Sequence, residues 1–224
     1  MTVSTSVRRQ YLDAMGIQVW EERGVVPVKV ELAEPKVKVG SLGDLEHGEL
    51  FVTVQSCKAC GLSNDGAPKI SPVARSQSPW FVVGDVPLHQ DNRSLSLFSP
   101  KALQLFNDML LSVGENPQTT YQTTRIKCAQ SSIEPTNSDY AYCQPFLIRE
   151  IELIKPKVVL LLGEAAAQSV IGSSKGIDEL RGKVYTLDAI GIPCVVTYHP
   201  DQLLQTPLLK KAVWDDIRLA KAQV

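Results

Sequence analysis

No stretch of this chain approaches the roughly 20 consecutive apolar residues that a membrane-spanning helix needs, so neither a spanning helix nor a membrane partner is expected. An excess of charge of one sign is also missing. Lys and Arg number 23 against 24 Asp and Glu, which leaves a net charge of -1 and a pI near 6.3. A broad nucleic-acid-binding face needs a basic surplus, so only a local basic patch is left open. Nor does the chain open on an apolar secretory core: Met1 to Gln10 is polar and carries Arg8 and Arg9. Disulfides of an oxidising compartment are therefore not expected, and the chain reads as cytoplasmic.

What the chain does have is cysteine in an ordered pattern. Cys57-x2-Cys60 is followed, after a long gap, by Cys128-x14-Cys143. Each half sits where a loop meets regular structure, and thiolates gathered in this way suit a soft metal centre. Spacing alone leaves three readings open, namely an iron–sulfur cluster, a structural zinc and unrelated buried thiols. The fifth cysteine, Cys194, lies in the apolar run Ile192-Pro-Cys-Val-Val-Thr197 and reads as a core thiol.

With 224 residues, 44% of them apolar, the chain is long enough for one sizeable core with an added arm. From Trp80 onward, apolar periodicity alternates between strand and helix. Trp80-Phe-Val-Val83 reads as a buried strand ending at Gly84. Ala102, Leu105, Phe106, Met109, Leu110 and Val113 form one helix face, with Pro100 suited to its start. Tyr140 to Ile154 marks a second helix, Lys157 to Leu162 a strand, and Glu164 toward Ile171 a third helix. A strand at Pro193 to Tyr198 and a closing helix at Leu208 to Ala222 complete the series. This alternation predicts an α/β fold, a three-layer sandwich with a central, mainly parallel sheet.

Ligands of such sheets sit outside the carboxyl ends of the strands. The segments that end there are Gly84-Asp-Val-Pro87, Thr123-Thr-Arg-Ile-Lys-Cys128 and Tyr198-His-Pro-Asp201. With the cysteine spacing, with Tyr198-His-Pro-Asp-Gln-Leu-Leu204 and Val213-Trp-Asp-Asp216, and with Ile151-Glu-Leu-Ile-Lys-Pro-Lys157, the chain resembles the iron–sulfur uracil-DNA glycosylases usually numbered family four. The resemblance runs from about Cys57 to the C-terminus. It implies that Cys57, Cys60, Cys128 and Cys143 hold a 4Fe-4S cluster that staples loops to the core, which places the cluster above zinc.

By the same resemblance, Phe98 stands in place of the uracil-stacking aromatic and His199 in place of the histidine that stabilises the departing uracil anion. Asp85, Leu88 and Thr124 depart from the pattern. The family's first loop reads Gly-Glu-Ala-Pro-Gly, against Gly84-Asp-Val-Pro-Leu88 here. Leu88 is expected to fill space meant for the nucleotide. Thr124, in place of the base-reading asparagine, is too short to offer a paired donor and acceptor. Gln205 replaces an arginine and Pro100 a glycine. Asp85, Phe98, Thr124 and His199 are thus read as vestiges of a disabled pocket, without catalytic residues. Asp91 and Arg93 read as solvated loop.

Arg8-Arg-Gln-Tyr-Leu-Asp-Ala-Met-Gly-Ile-Gln-Val-Trp-Glu-Glu-Arg23 is a short amphipathic helix, a break at Gly16 and an apolar extension. It resembles the N-terminal peptide of the psi subunit of the bacterial DNA polymerase III clamp loader. That implies contacts through Leu12, Met15, Ile17, Val19 and Trp20 to the clamp-loader ATPase subunits (gamma/tau). It also implies a chi subunit on the globular domain and, through it, an indirect link to single-stranded DNA-binding protein. The expected organisation is an arm over 1–25, a connector over 26–55 and a glycosylase-like domain over 56–224. The expected function is that of a non-catalytic psi-type subunit in DNA replication rather than an enzyme. An active iron–sulfur uracil-DNA glycosylase in base excision repair is the rival reading.

Overall fold

The computed structural model describes residues 14–15, 27–30, 42–64, 67–70, 77–90, 94–129, 135–187 and 191–224. In chain order the strands are β1 (Val28–Val30), β2 (Trp80–Gly84), β3 (Leu88–Gln90), β4 (Ser94–Ser96), β5 (Tyr121–Thr124), β6 (Val158–Leu162), β7 (Val184–Leu187) and β8 (Ile192–Thr197). The helices are α1 (His47–Ser56), α2 (Gly61–Asn64), α3 (Pro100–Ser112), α4 (Asn137–Ile154), α5 (Glu164–Ile171), α6 (Ile177–Leu180), α7 (Pro200–Gln205) and α8 (Lys210–Lys221).

One six-stranded sheet runs in the order β1-β7-β8-β6-β2-β5. The pairs β8/β6, β6/β2, β2/β5 and β1/β7 are parallel, and only β7/β8 is antiparallel. Every residue of β2 and β6 is buried, which requires helices over both faces, and the fold is the expected three-layer α/β sandwich. Trp80, Phe81, Val82 and Val83 from β2 meet Val158 to Leu161 of β6 in register. The elements predicted from Trp80 onward all form, with helix starts set by local chemistry, and the helix expected within Arg8 to Arg23 lies outside the described residues but for 14–15. Ser99 caps α3, its side chain accepting from the Ala102 N–H ahead of Pro100, and Thr136 with Asp139 forms a capping box at α4.

Five elements escape the periodicity argument. The residues read as a connector supply β1, an edge strand on β7, and α1, whose Leu50 and Val54 pack with Phe146 of α4. Strand β7 is four residues long and antiparallel to β8, too short to show alternation. The hairpin β3/β4 carries Leu88 opposite Ser96.

Lys127 and Glu150 form an ion pair inside the molecule at 2.8 Å, with 2% and 0% of their side chains exposed. Lys127 Nζ also donates to Thr123 Oγ1 at 2.6 Å and to the Thr124 carbonyl at 2.9 Å. A buried charge that loses its partner costs about 3–5 kcal/mol, whereas replacing both charges together costs far less. Glu150→Leu is accordingly predicted to lower unfolding free energy in urea by about that amount, and Lys127→Met with Glu150→Leu to recover most of it. A double-variant loss equal to the sum of the losses in Glu150→Leu and Lys127→Met alone would show that the pair is not coupled.

Candidate nucleotide-binding cavity

The carboxyl ends of β2, β5, β6 and β8 open on a cavity of about 770 Å3. Its walls include Asp85 and Val86 after β2, Arg125 after β5, Gly163 and Glu164 after β6, and His199 after β8. This is the position that the order of the sheet favours, because β2 is flanked by β5 on one side and β6 on the other. Gly163 has φ +86, which glycine adopts without strain, so the β6–α5 turn depends on it, and the turn passes within ordinary contact of the His199 loop.

Asp85 lies at the cavity wall with 42% of its side chain exposed, and its Oδ1 accepts from Arg125 Nε. Arg125 is 4% exposed, and its Nη1 donates to Ser169 Oγ at 3.0 Å. Its backbone N–H reaches Gly84 O at 2.9 Å, extending the β2/β5 ladder by one rung. His199 is the N-cap of α7: its Nδ1 accepts from the Asp201 N–H at 3.3 Å, and its own N–H donates to Gln202 Oε1 at 3.1 Å. Burial lowers its pKa below the usual histidine range, a shift that Asp201, the Leu97 carbonyl and Asp85 only partly offset, so the ring is neutral at pH 7.

The other predicted residues take different places. Phe98 is fully buried, stacks on Phe106 with centroids 4.9 Å apart, and tilts against the His199 ring at 5.4 Å. Thr124 is buried, its Oγ1 donating to the Ile126 carbonyl at 2.6 Å rather than facing the cavity. Leu88 lines the wall, yet the cavity stays open beside it, because the turn after Gly84 runs out into the β3/β4 hairpin. Gln205 lies at the rim. Asp91 and Arg93 lie outside the described residues. Arg125 escaped sequence reasoning, although an arginine between Thr124 and Ile126 at a strand exit is a legible anomaly. Glu164, Asp201 and Gln202 join it on the wall.

The four patterned cysteines come from the end of α1, the segment after it, the exit of β5 and α4. Residues 68–70 run against 127–129, with Ile70 N donating to Lys127 O and Ala129 N to Pro68 O, both at 2.8 Å. Cys57 caps the end of α1, Cys60 follows it, and Cys143 projects from α4. Burial pushes the Cys128 thiol up to about 11, and the charges of Cys60 and Cys57 push the same way. Burial pushes Cys143 up to about 12, where a Lys127 backbone hydrogen bond opposes it and Cys128 and Cys60 add to it. Cys128 and Cys143 both feel the charge of Cys60, and thiols are a fitting donor set for a soft metal. As the side chains stand, no three His, Cys, Asp or Glu among the described residues are arranged for a metal ion. Cys194 is apart from the group, fully buried in β8, with its thiol pushed up by burial alone.

Of the arm residues, Leu12, Ile17, Val19 and Trp20 lie outside the described residues, and Met15 is exposed. Among the described residues no helix is long and apolar enough to cross a membrane.

Comparison with known proteins locates the family. Residues 72–218 match the Uracil DNA glycosylase superfamily. The type-4 uracil-DNA glycosylase of Archaeoglobus fulgidus is 27% identical over 172 residues, covering 74% of this chain and 86% of the relative. That of Thermotoga maritima is 28% identical over 174 residues, covering 75% and 90%. That of Saccharolobus solfataricus is 24% identical over 176 residues, covering 75% and 82%.

These relatives overturn the reading as a non-catalytic psi-type subunit of DNA polymerase III. They are named as enzymes, and the similarity spans the strands that build the cavity. The assignment to a clamp loader in DNA replication rested on one short N-terminal segment. Arg-Arg, spaced leucines and a tryptophan recur in many amphipathic segments, and so brief a pattern carries little information. The gamma/tau ATPase subunits, the chi subunit and the link to single-stranded DNA-binding protein fall with it as partners. The non-enzyme reading, drawn from Leu88, Thr124 and Gln205, falls too, since the relatives are named as glycosylases, and the cavity Leu88 was expected to fill is open. By its fold and by the match over residues 72–218, this chain belongs to the uracil DNA glycosylase superfamily.

Proposed function

We propose that this protein is a uracil-DNA glycosylase that hydrolyses the bond between uracil and deoxyribose in DNA repair. The observation that carries the reading is a single cavity at the strand ends whose wall holds both a carboxylate, Asp85, and a neutral imidazole, His199. Similarity to type-4 uracil-DNA glycosylases over three-quarters of the chain supports it.

The extruded nucleotide enters the cavity, and the bond from C1′ to N1 breaks with its electron pair going to the base. Positive charge grows at C1′ and negative charge on the base. Asp85, half exposed, faces the first of these and holds the attacking water, whose oxygen joins C1′ and whose proton leaves to solvent. His199 turns its one ring N–H from the Leu97 carbonyl to the second, without bringing a charge of its own. Loss of one such donor costs about 10²–10³ in rate. His199→Ala is therefore predicted to slow single-turnover release of uracil from an oligonucleotide by that factor, with a smaller effect on DNA affinity. Wild-type protein that leaves both single-stranded and duplex uracil DNA intact would refute the reading.

The pH dependence follows from the same residue. His199 is held below the ordinary histidine value of about 6.5, so the unfolded chain takes up this proton before the folded one. The stability contributed by the neutral ring is complete above about pH 6.5 and is lost as pH falls toward the folded value. Protonation at Nδ1 also removes the acceptor that caps α7. Excision is expected to hold its rate from pH 8 down to about 6.5 and to fall below that. An acid limb centred above pH 7 would contradict this assignment.

We further infer that Cys57, Cys60, Cys128 and Cys143 hold a 4Fe-4S cluster. Bound there, a cluster would supply iron–thiolate bonds tying α1, the segment after it, the exit of β5 and α4 together. Protein purified anaerobically should carry about four irons per chain. Cys128→Ser should lose iron and solubility, and Cys194→Ser should keep its iron. Stoichiometric zinc, or equal iron loss in both variants, would overturn the ligand set.

A further inference from the structure

His199 accounts for only part of what the departing base needs. Its Nδ1 is occupied by the Asp201 N–H, the Leu97 carbonyl draws the ring's remaining proton, and the ring is uncharged. Asp85, Glu164 and Asp201 add negative charge to the same wall. Among the described residues that line the cavity, Arg125 alone carries a permanent positive charge.

Its guanidinium is held from two sides, by Asp85 on Nε and by Ser169 on Nη1, and no described residue accepts from Nη2. Its backbone is fixed in the β2/β5 ladder. With only 4% of its side chain exposed, it is shielded from water, where a fixed charge acts most strongly on a charge that forms beside it. Thr124, the neighbour expected to read the base, faces away from the cavity toward Ile126.

We propose that Arg125 is a second anion-stabilising donor for the departing base, beside His199, acting through Nη2 on a base carbonyl oxygen. The inference rests on the uracil-excision reading. As the C1′–N1 bond breaks, the electron pair it releases delocalises onto the carbonyl oxygens, and a guanidinium donor there gains strength with that charge. Water supplies the hydroxyl at C1′, and the base anion later takes its proton from solvent, so Arg125 itself transfers none. The ion pair with Asp85 gives the geometry a second consequence: one contact orients both the residue facing the anion and the residue facing the sugar cation.

The test uses leaving groups of different intrinsic stability. Fluorine at position 5 stabilises the uracil anion and lessens its need for help. Single-turnover excision of uracil and of 5-fluorouracil from matched oligonucleotides should be measured for wild type, Arg125→Met and Arg125→Gln, each with intact iron content. Arg125→Met should lose about 100-fold on uracil and only about tenfold on 5-fluorouracil. Arg125→Gln keeps donors without charge and should show the same selective loss at smaller size. Equal loss on both bases in either variant would mark Arg125 as merely structural and overturn the proposal, as would unchanged rates. Wild-type protein that excises neither base would overturn the glycosylase reading itself, an outcome distinct from a uniform loss in the variants.

Discussion

Everything around the cavity depends on how Lys127 is buried. An ammonium with almost no exposed surface is tolerable only because Glu150, Thr123 and the Thr124 carbonyl surround it. Lys127 and these three partners belong to one stretch of chain and one helix, so the contact pins the exit of β5 to α4. Arg125 leaves that stretch toward the cavity, and Cys128 leaves it toward the other thiols. A single desolvated ion pair thus fixes the position of the group proposed to meet the base and of a ligand proposed to hold the cluster. Ordinary surface pairs, such as Arg149 with Glu152, have no comparable reach.

The second constraint is topological. Two parallel neighbours flank β2, and both of its faces are covered, so polar groups gather only where the strands end. The open edge of the cavity is built from turns: the Asp85 turn, the Gly163 turn with its positive φ, and the His199 cap of α7. Each of these is set by local backbone chemistry, which is why the site tolerates Asp85, Leu88 and Gln205 without closing.

Much of the fold was legible in the sequence because its central strands are continuous apolar runs and its helices carry clear faces and caps. Trp80 to Val83, Lys157 to Leu162 and the Ala102 to Val113 face state their own structure. β1 and β7 do not, being short edge-side strands whose pairing is decided by partners distant in the chain. The site was less legible. Asp85 and His199 were visible as strand-end residues, but side-chain direction was not. Whether Thr124 faces a ligand or its own backbone depends on which way Ile126 turns, and whether Leu88 fills a pocket depends on where the hairpin carries it. Arg125 was visible only as a charge in an unexpected place. The N-terminal segment misled for the opposite reason, since a short amphipathic pattern carries little information beside a match over residues 72–218.

The most direct test of this account is a crystal structure with a duplex carrying a non-hydrolysable 2′-fluoro-arabino deoxyuridine. The account predicts the uracil extruded into the cavity at the ends of β2, β5, β6 and β8, with a carbonyl oxygen within hydrogen-bonding reach of Arg125 and C1′ facing Asp85. A complex with the uracil left in the helix, or seated away from Asp85, Arg125 and His199, would contradict it.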